Sequence, residues 1–94
     1  MASYIARVEL HSASYEDYET LHATMLQRGF SRTIVGGDGA TYFLPTGTYD
    51  VAATNATLDQ AYNAAVAAAA DTKKSYSLIV AVRGAAKWVG LAKQ

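Results

Sequence analysis

Two helix-start signals divide this chain, and little else about it is as restrictive. Ser14-Tyr15-Glu16-Asp17 and Thr57-Leu58-Asp59-Gln60 are both capping boxes, each with a hydroxyl that can accept from the amide three residues on. Tyr15, Tyr18, Leu21 or His22, Met25 and Leu26 follow the first at helical spacing, and Gly29 after Arg28 is a natural stop. The spacing predicts a helix over 15–28. Leu58, Ala61, Tyr62, Ala65, Val66 and Ala69 follow the second and predict a helix to about Thr72, closed by Lys73 and Lys74 at the negative end of its dipole. Alanine gives this helix its intrinsic strength and lets it approach a sheet closely.

Period-two segments surround the two helices. From Tyr4 to His11, Tyr4, Ala6, Val8 and Leu10 share one face, while Ile5, Arg7, Glu9 and His11 share the other. Phe30–Val35 and Ala40–Leu44 flank the turn Gly36-Gly37-Asp38-Gly39, which reads as a hairpin. Pro45 interrupts the returning strand, which resumes over Tyr49–Ala53. Ser75–Arg83 is the last strand, with Tyr76, Leu78, Val80 and Val82 on one face. The order β-α-β-β-α-β predicts an α+β, ferredoxin-like sandwich: an antiparallel sheet with two helices on one face. The 94 residues form a single domain, 1–94, with a C-terminal tail over 84–94.

Composition narrows the function classes. Eight Lys/Arg balance eight Asp/Glu, which disfavours a generally basic protein that coats nucleic acid but leaves room for a local basic strip. A neutral chain that is 51% apolar has little electrostatic reason to stay apart from its copies, so self-association is expected. The absence of cysteine excludes a disulfide frame, a thiolate nucleophile and a Cys-based zinc site. No H-x-x-x-H or H-E-x-x-H pattern provides a metal site, and no cofactor motif is present. The chain opens without a basic, signal-like segment, and its Ala64–Ala70 run is too short to span a bilayer. A soluble, cytoplasmic protein without membrane attachment is the expectation.

Several side chains are chemically suggestive, and each has a bland reading beside the functional one. Arg7, Glu9 and His11 on the face away from the helices form a strip suited to anion binding and proton transfer. The same residues suit cross-strand ion pairing on a solvated or dimer-facing surface. Arg28 and Arg32 flank Gly29-Phe30-Ser31, where two guanidinium groups beside an aromatic suit a phosphate and a stacked base, or equally a helix end. Arg83, Lys87 and Trp88 form a comparable set, with Trp88 expected against a partner chain. His22 reads as a partly buried helix residue. The glycine turn lacks the Lys-Ser/Thr of a phosphate loop and precedes a strand, so hairpin chemistry accounts for it.

Arg7-Val8-Glu9-Leu10-His11, Gly29-Phe30-Ser31-Arg32-Thr33-Ile34 and Asp38-Gly39-x-x-Tyr42-x-Leu44-Pro45-Thr46 together resemble the small bacterial GhoS-like family. That family is named for the endoribonuclease antitoxin of type V toxin–antitoxin systems, which cuts the messenger RNA of its toxin. The resemblance implies a ferredoxin-like fold, similar to the small CRISPR-associated nucleases, and RNA as the partner. Those nucleases commonly carry a metal-holding acid at the end of the first strand. Here that strand ends Glu9-Leu10-His11-Ser12, so the resemblance implies metal-independent cleavage. His11, Glu9 and Arg7 are then the candidate catalytic residues, with Arg28, Arg32 and Arg83 as candidate RNA-binding residues. The competing class is a non-catalytic homodimer that binds another protein through its open sheet face and tail.

Overall fold

A computed structural model describes residues 1–94 as β1 (Ala2–Leu10), α1 (Tyr15–Gln27), β2 (Thr33–Val35), β3 (Thr41–Phe43), β4 (Thr48–Thr54), α2 (Leu58–Ala70) and β5 (Tyr76–Arg83). The fold is α+β, with antiparallel pairing throughout and two helices. Neither helix is long and apolar enough to cross a membrane.

Both capping boxes form. Ser14 Oγ accepts from the Asp17 amide at 3.2 Å while the Asp17 carboxylate accepts from the Ser14 amide at 2.8 Å. Thr57 and Gln60 exchange the equivalent bonds at 3.1 and 2.8 Å. Helix α1 ends one residue earlier than its periodicity predicts, with Arg28 as cap and Gly29 at φ +89°. The Phe30 amide reaches the Met25 carbonyl and the Gly29 amide reaches that of Leu26, a Schellman closure that also buries Phe30 against Met25.

Strand β1 is the centre of a three-stranded sheet ordered β4-β1-β5. Its alternation holds: Tyr4, Ala6, Val8 and Leu10 are buried beneath the helices, and Arg7 and Glu9 are exposed on the other face. Leu21, Met25, Phe30 and Tyr49 complete the core with Ala61, Ala65, Ala68 and Ala69. Helix α2 is rotated from its predicted stripe, leaving Leu58 and Tyr62 exposed and burying Ala68. Thr24 Oγ1 of α1 lies 2.9 Å from the Ala68 carbonyl, a close approach of the two helices that small residues permit. Tyr15 and Leu26 likewise face solvent rather than the core, as does Val82 at the far end of β5.

The middle of the chain departs most from expectation. Strands β2 and β3 do not extend the main sheet; they form their own two-stranded sheet. One reciprocal bridge, Ser31 with Asp50 at 2.8 Å in each direction, ties the segment before β2 to β4. The break between β3 and β4 lies at Pro45–Gly47. Gly47 adopts φ +85°, and a Cβ there would stand 2.5 Å from the Val8 carbonyl oxygen, so only glycine lets the loop close onto β1. The C-terminal segment is no free tail. The Phe43 amide donates to the Ala92 carbonyl, the Gln94 amide donates to that of Thr41, and Tyr42 bridges Lys93.

Candidate functional site

The residues singled out on β1 come together. Arg7 lies opposite Ile79 of β5, and Glu9 opposite Ser77, on the face away from the helices. His11 follows directly after β1, where its amide donates to the Ser75 carbonyl at 2.9 Å. Its Nε2 lies 2.9 Å from Ser77 Oγ and 4.0 Å from Glu9 Oε1. Arg7, Glu9, Ser77, Leu78 and Ile79 line an open depression of 330 Å³. A strand period of two puts these side chains in one row, and the antiparallel register brings Ser77 beside them. Glu9 and His11 are both well exposed, so both are accessible to solutes. The row supplies an accepting carboxylate, an imidazole able to give or take a proton, and the Arg7 cation.

The three predicted RNA-binding arginines do not join this row. Arg28 turns back to Asp71 at the end of α2, 3.7 Å away. Arg32 lies over the Phe43 ring at 5.9 Å, on the hairpin. Arg83 is taken up by Asp50: its Nε donates to one carboxylate oxygen, its Nη2 to the other at 3.3 Å, and its Nη1 to the Gly84 carbonyl at 2.9 Å. Asp50 is 5% exposed, so this fork neutralises a buried carboxylate, and a structural task occupies the guanidinium. An aspartate between Tyr49 and Val51 in a strand pattern was the one signal that such a cation was needed.

Trp88, expected against a partner chain, packs within its own. Its ring lies 5.4 Å from that of Tyr42 at a tilt of 59°. It also borders a 300 Å³ groove with Ile5, Ile34, Leu44 and Leu91. The glycine turn is fastened beside it. The Tyr42 hydroxyl donates to Asp38 at 2.8 Å, and this bond, with the Ala40 amide, holds the Asp38 carboxyl below its usual range. The turn therefore serves as a hairpin.

His22 is partly buried as its helix position predicts, but its partner was not legible. Its Nδ1 lies 2.6 Å from the hydroxyl of Tyr49, a fully buried residue distant in sequence. Burial, with the nearby Arg32 charge adding to it, holds the imidazole below its ordinary pKa, and Glu19 opposes the shift. Burial pushes the Tyr49 phenol well above its ordinary range. No three His, Asp or Glu side chains cluster closely enough to hold a metal ion. No protein-family model matches the chain, and no curated protein matches its sequence.

Proposed function

We propose that this chain is an RNA-binding protein of the GhoS-like, antitoxin class, and that it cuts RNA in the cytoplasm without a metal ion. The strand order β5-β1-β4, continued by the Ser31–Asp50 bridge, supports a ferredoxin-like arrangement in which the hairpin takes the place of the outer strand. The observation that carries the reading is the Arg7–Glu9–His11 row. Arg7 has no carboxylate or hydrogen-bond partner in the chain, whereas Arg28 and Arg83 are both paired. An unpaired cation beside a carboxylate and an imidazole is what a phosphodiester needs. The RNA 2′-hydroxyl gives its proton to Glu9 and attacks the adjacent phosphorus, forming the O2′–P bond. The P–O5′ bond breaks as His11, in its protonated form, supplies a proton to the leaving oxygen. Arg7 meets the charge that builds on the phosphorane oxygens. The products are a 2′,3′-cyclic phosphate and a 5′-hydroxyl.

Purified protein is expected to cleave single-stranded RNA with a chelator present. His11→Ala and Arg7→Ala are expected to slow cleavage by about 10²–10⁴-fold while circular dichroism stays unchanged, because both side chains lie outside the core. Absence of wild-type cleavage, with chelator and with magnesium alike, overturns the enzyme reading. The interaction-protein reading then takes its place. What favours that second reading is β5, which pairs only with β1 and exposes Ile79 and Val82 at 65% and 63%. A free, apolar edge is a template for a second copy. Light scattering then reports twice the 10.0 kDa chain mass, and a clean monomer removes that reading.

A further inference from the structure

A second group of polar side chains, on the opposite side of β1 from the Arg7–His11 row, has no part in the chemistry above. His22 and Leu26 of α1 and Phe30, Ser31, Arg32 and Thr33 of the connection into β2 line a cleft of 280 Å³. Gln94 adds an amide that can donate or accept, and the hydrogen-bond network leaves donors free on the other polar groups.

The Tyr49 hydroxyl is buried and has a single partner, His22 Nδ1 at 2.6 Å. A buried hydroxyl proton must find an acceptor, so Tyr49 donates and Nδ1 accepts. This assigns the proton of the neutral imidazole to Nε2. Nε2 makes no hydrogen bond of its own, and the Glu19 carboxylate at 3.9 Å is beyond reach of one. Ser31 Oγ and Thr33 Oγ1 lie 2.8 Å apart and share one hydroxyl proton, so whichever of them accepts keeps a proton free to donate. Arg32 is half-buried and stacked over Phe43, yet it holds no carboxylate, unlike Arg28 and Arg83. A half-buried guanidinium without a counter-charge calls for an anion.

We infer that this cleft binds a phosphate monoester carrying one small aromatic or apolar body, with Arg32 as its charge anchor and His22 Nε2–H and the Ser31/Thr33 pair as further donors. Three donor groups lining one cleft suit the three terminal oxygens of a phosphate monoester better than the two of a carboxylate. Phe30 and Leu26 provide the apolar wall. The volume is at the low end for small-molecule sites, which limits the ligand to about a single nucleotide rather than a polymer. The groups facing His22 are Glu19 from α1, Arg32 from the connection and Tyr49 from β4. His22 acts as the neutral imidazole, with Nδ1 occupied by the Tyr49 hydroxyl and Nε2–H free to donate to the phosphate. The inference is independent of RNA cleavage, since its site and its probes are different.

Calorimetric titration with adenosine monophosphate, inorganic phosphate and adenosine tests it on the whole chain. Adenosine monophosphate and phosphate bind saturably, the nucleotide more tightly, and adenosine does not bind. Arg32→Gln lowers nucleotide affinity at least about tenfold, and Arg32→Lys recovers part of the loss. His22→Ala lowers nucleotide affinity as well, through loss of the Nε2–H donor. Thermal melts establish that each variant is folded. The site is overturned if wild type binds neither phosphate compound at millimolar concentration, if adenosine binds as well as its monophosphate, or if folded Arg32→Gln binds like wild type. Folded His22→Ala that binds like wild type overturns the role given to that residue.

Discussion

The two faces of the three-stranded sheet are built on different principles. Beneath the helices, Tyr4, Ala6, Val8 and Leu10 meet Leu21, Met25 and four alanines of α2 in a continuous buried core. On the other face, cover is partial and comes from irregular pieces: the β2–β3 hairpin, the 84–94 segment, and a second buried pair, Ile34 and Leu44, outside that core. Within the sheet, the Asp50–Arg83 fork ties β4 to β5 across β1, a polar fastening in place of apolar packing. The helix-covered face gains its stability from area removed from water. The other face keeps polar side chains accessible and is where the Arg7–His11 row lies. A sheet covered on both faces would be more stable and would have no such row.

The largest effect is expected in the helix-covered core. Leu21→Ala leaves a cavity at a fully buried position and lowers stability by about 2–5 kcal/mol, read from the denaturant midpoint. A cost below about 1 kcal/mol would erase the contrast between the faces. Next comes the fastening: Asp50→Ala strands the mostly buried Arg83 guanidinium and costs roughly 3 kcal/mol, the low end for a buried pair because Arg83 keeps a water-facing edge. If Asp50→Asn and Asp50→Ala both leave the midpoint in place, β4 and β5 are not held together electrostatically across β1.

Trp88→Ala removes a half-buried ring from the hairpin side, and about 1–2 kcal/mol is expected, less than for a fully buried aromatic. A loss as large as that of Leu21→Ala would mean that the 84–94 segment belongs to the main core. The smallest effect concerns pH. His22 binds its proton more weakly in the folded protein than in the unfolded chain, because burial and Arg32 oppose its charge. Its contribution to stability is therefore complete above the ordinary imidazole pKa and is lost as the pH falls through the depressed folded value. Unfolding midpoints measured from neutral to mildly acidic pH should fall less steeply in His22→Gln than in wild type. An unchanged slope would show that burial and the Arg32 charge do not hold the ring neutral.

Local chemistry was legible wherever it is local. Both capping boxes, the Gly29 stop, the inward face of β1 and the hairpin turn follow from neighbours within about four residues, and all form. The Arg7–Glu9–His11 row was legible for the same reason, since strand alternation alone puts these side chains on one face. Helix rotation was less so: alanines lie all around α2, and a stripe of small residues does not say which of them meets α1. The packed structure buries Ala61, Ala65, Ala68 and Ala69, with Thr24 of α1 against the Ala68 carbonyl.

What the sequence by itself determined is the set of elements, the starts of both helices, and which face of β1 turns inward, because helix and strand periods and caps are properties of short segments. Only the tertiary structure decided that β2 and β3 leave the main sheet, that the last residues return along β3, that Arg83 neutralises Asp50, and that Tyr49 sets the tautomer of His22. Each of these joins residues far apart in the chain. A buried carboxylate or phenol takes whichever partner the packed chain brings within hydrogen-bond reach, and no local period carries that information.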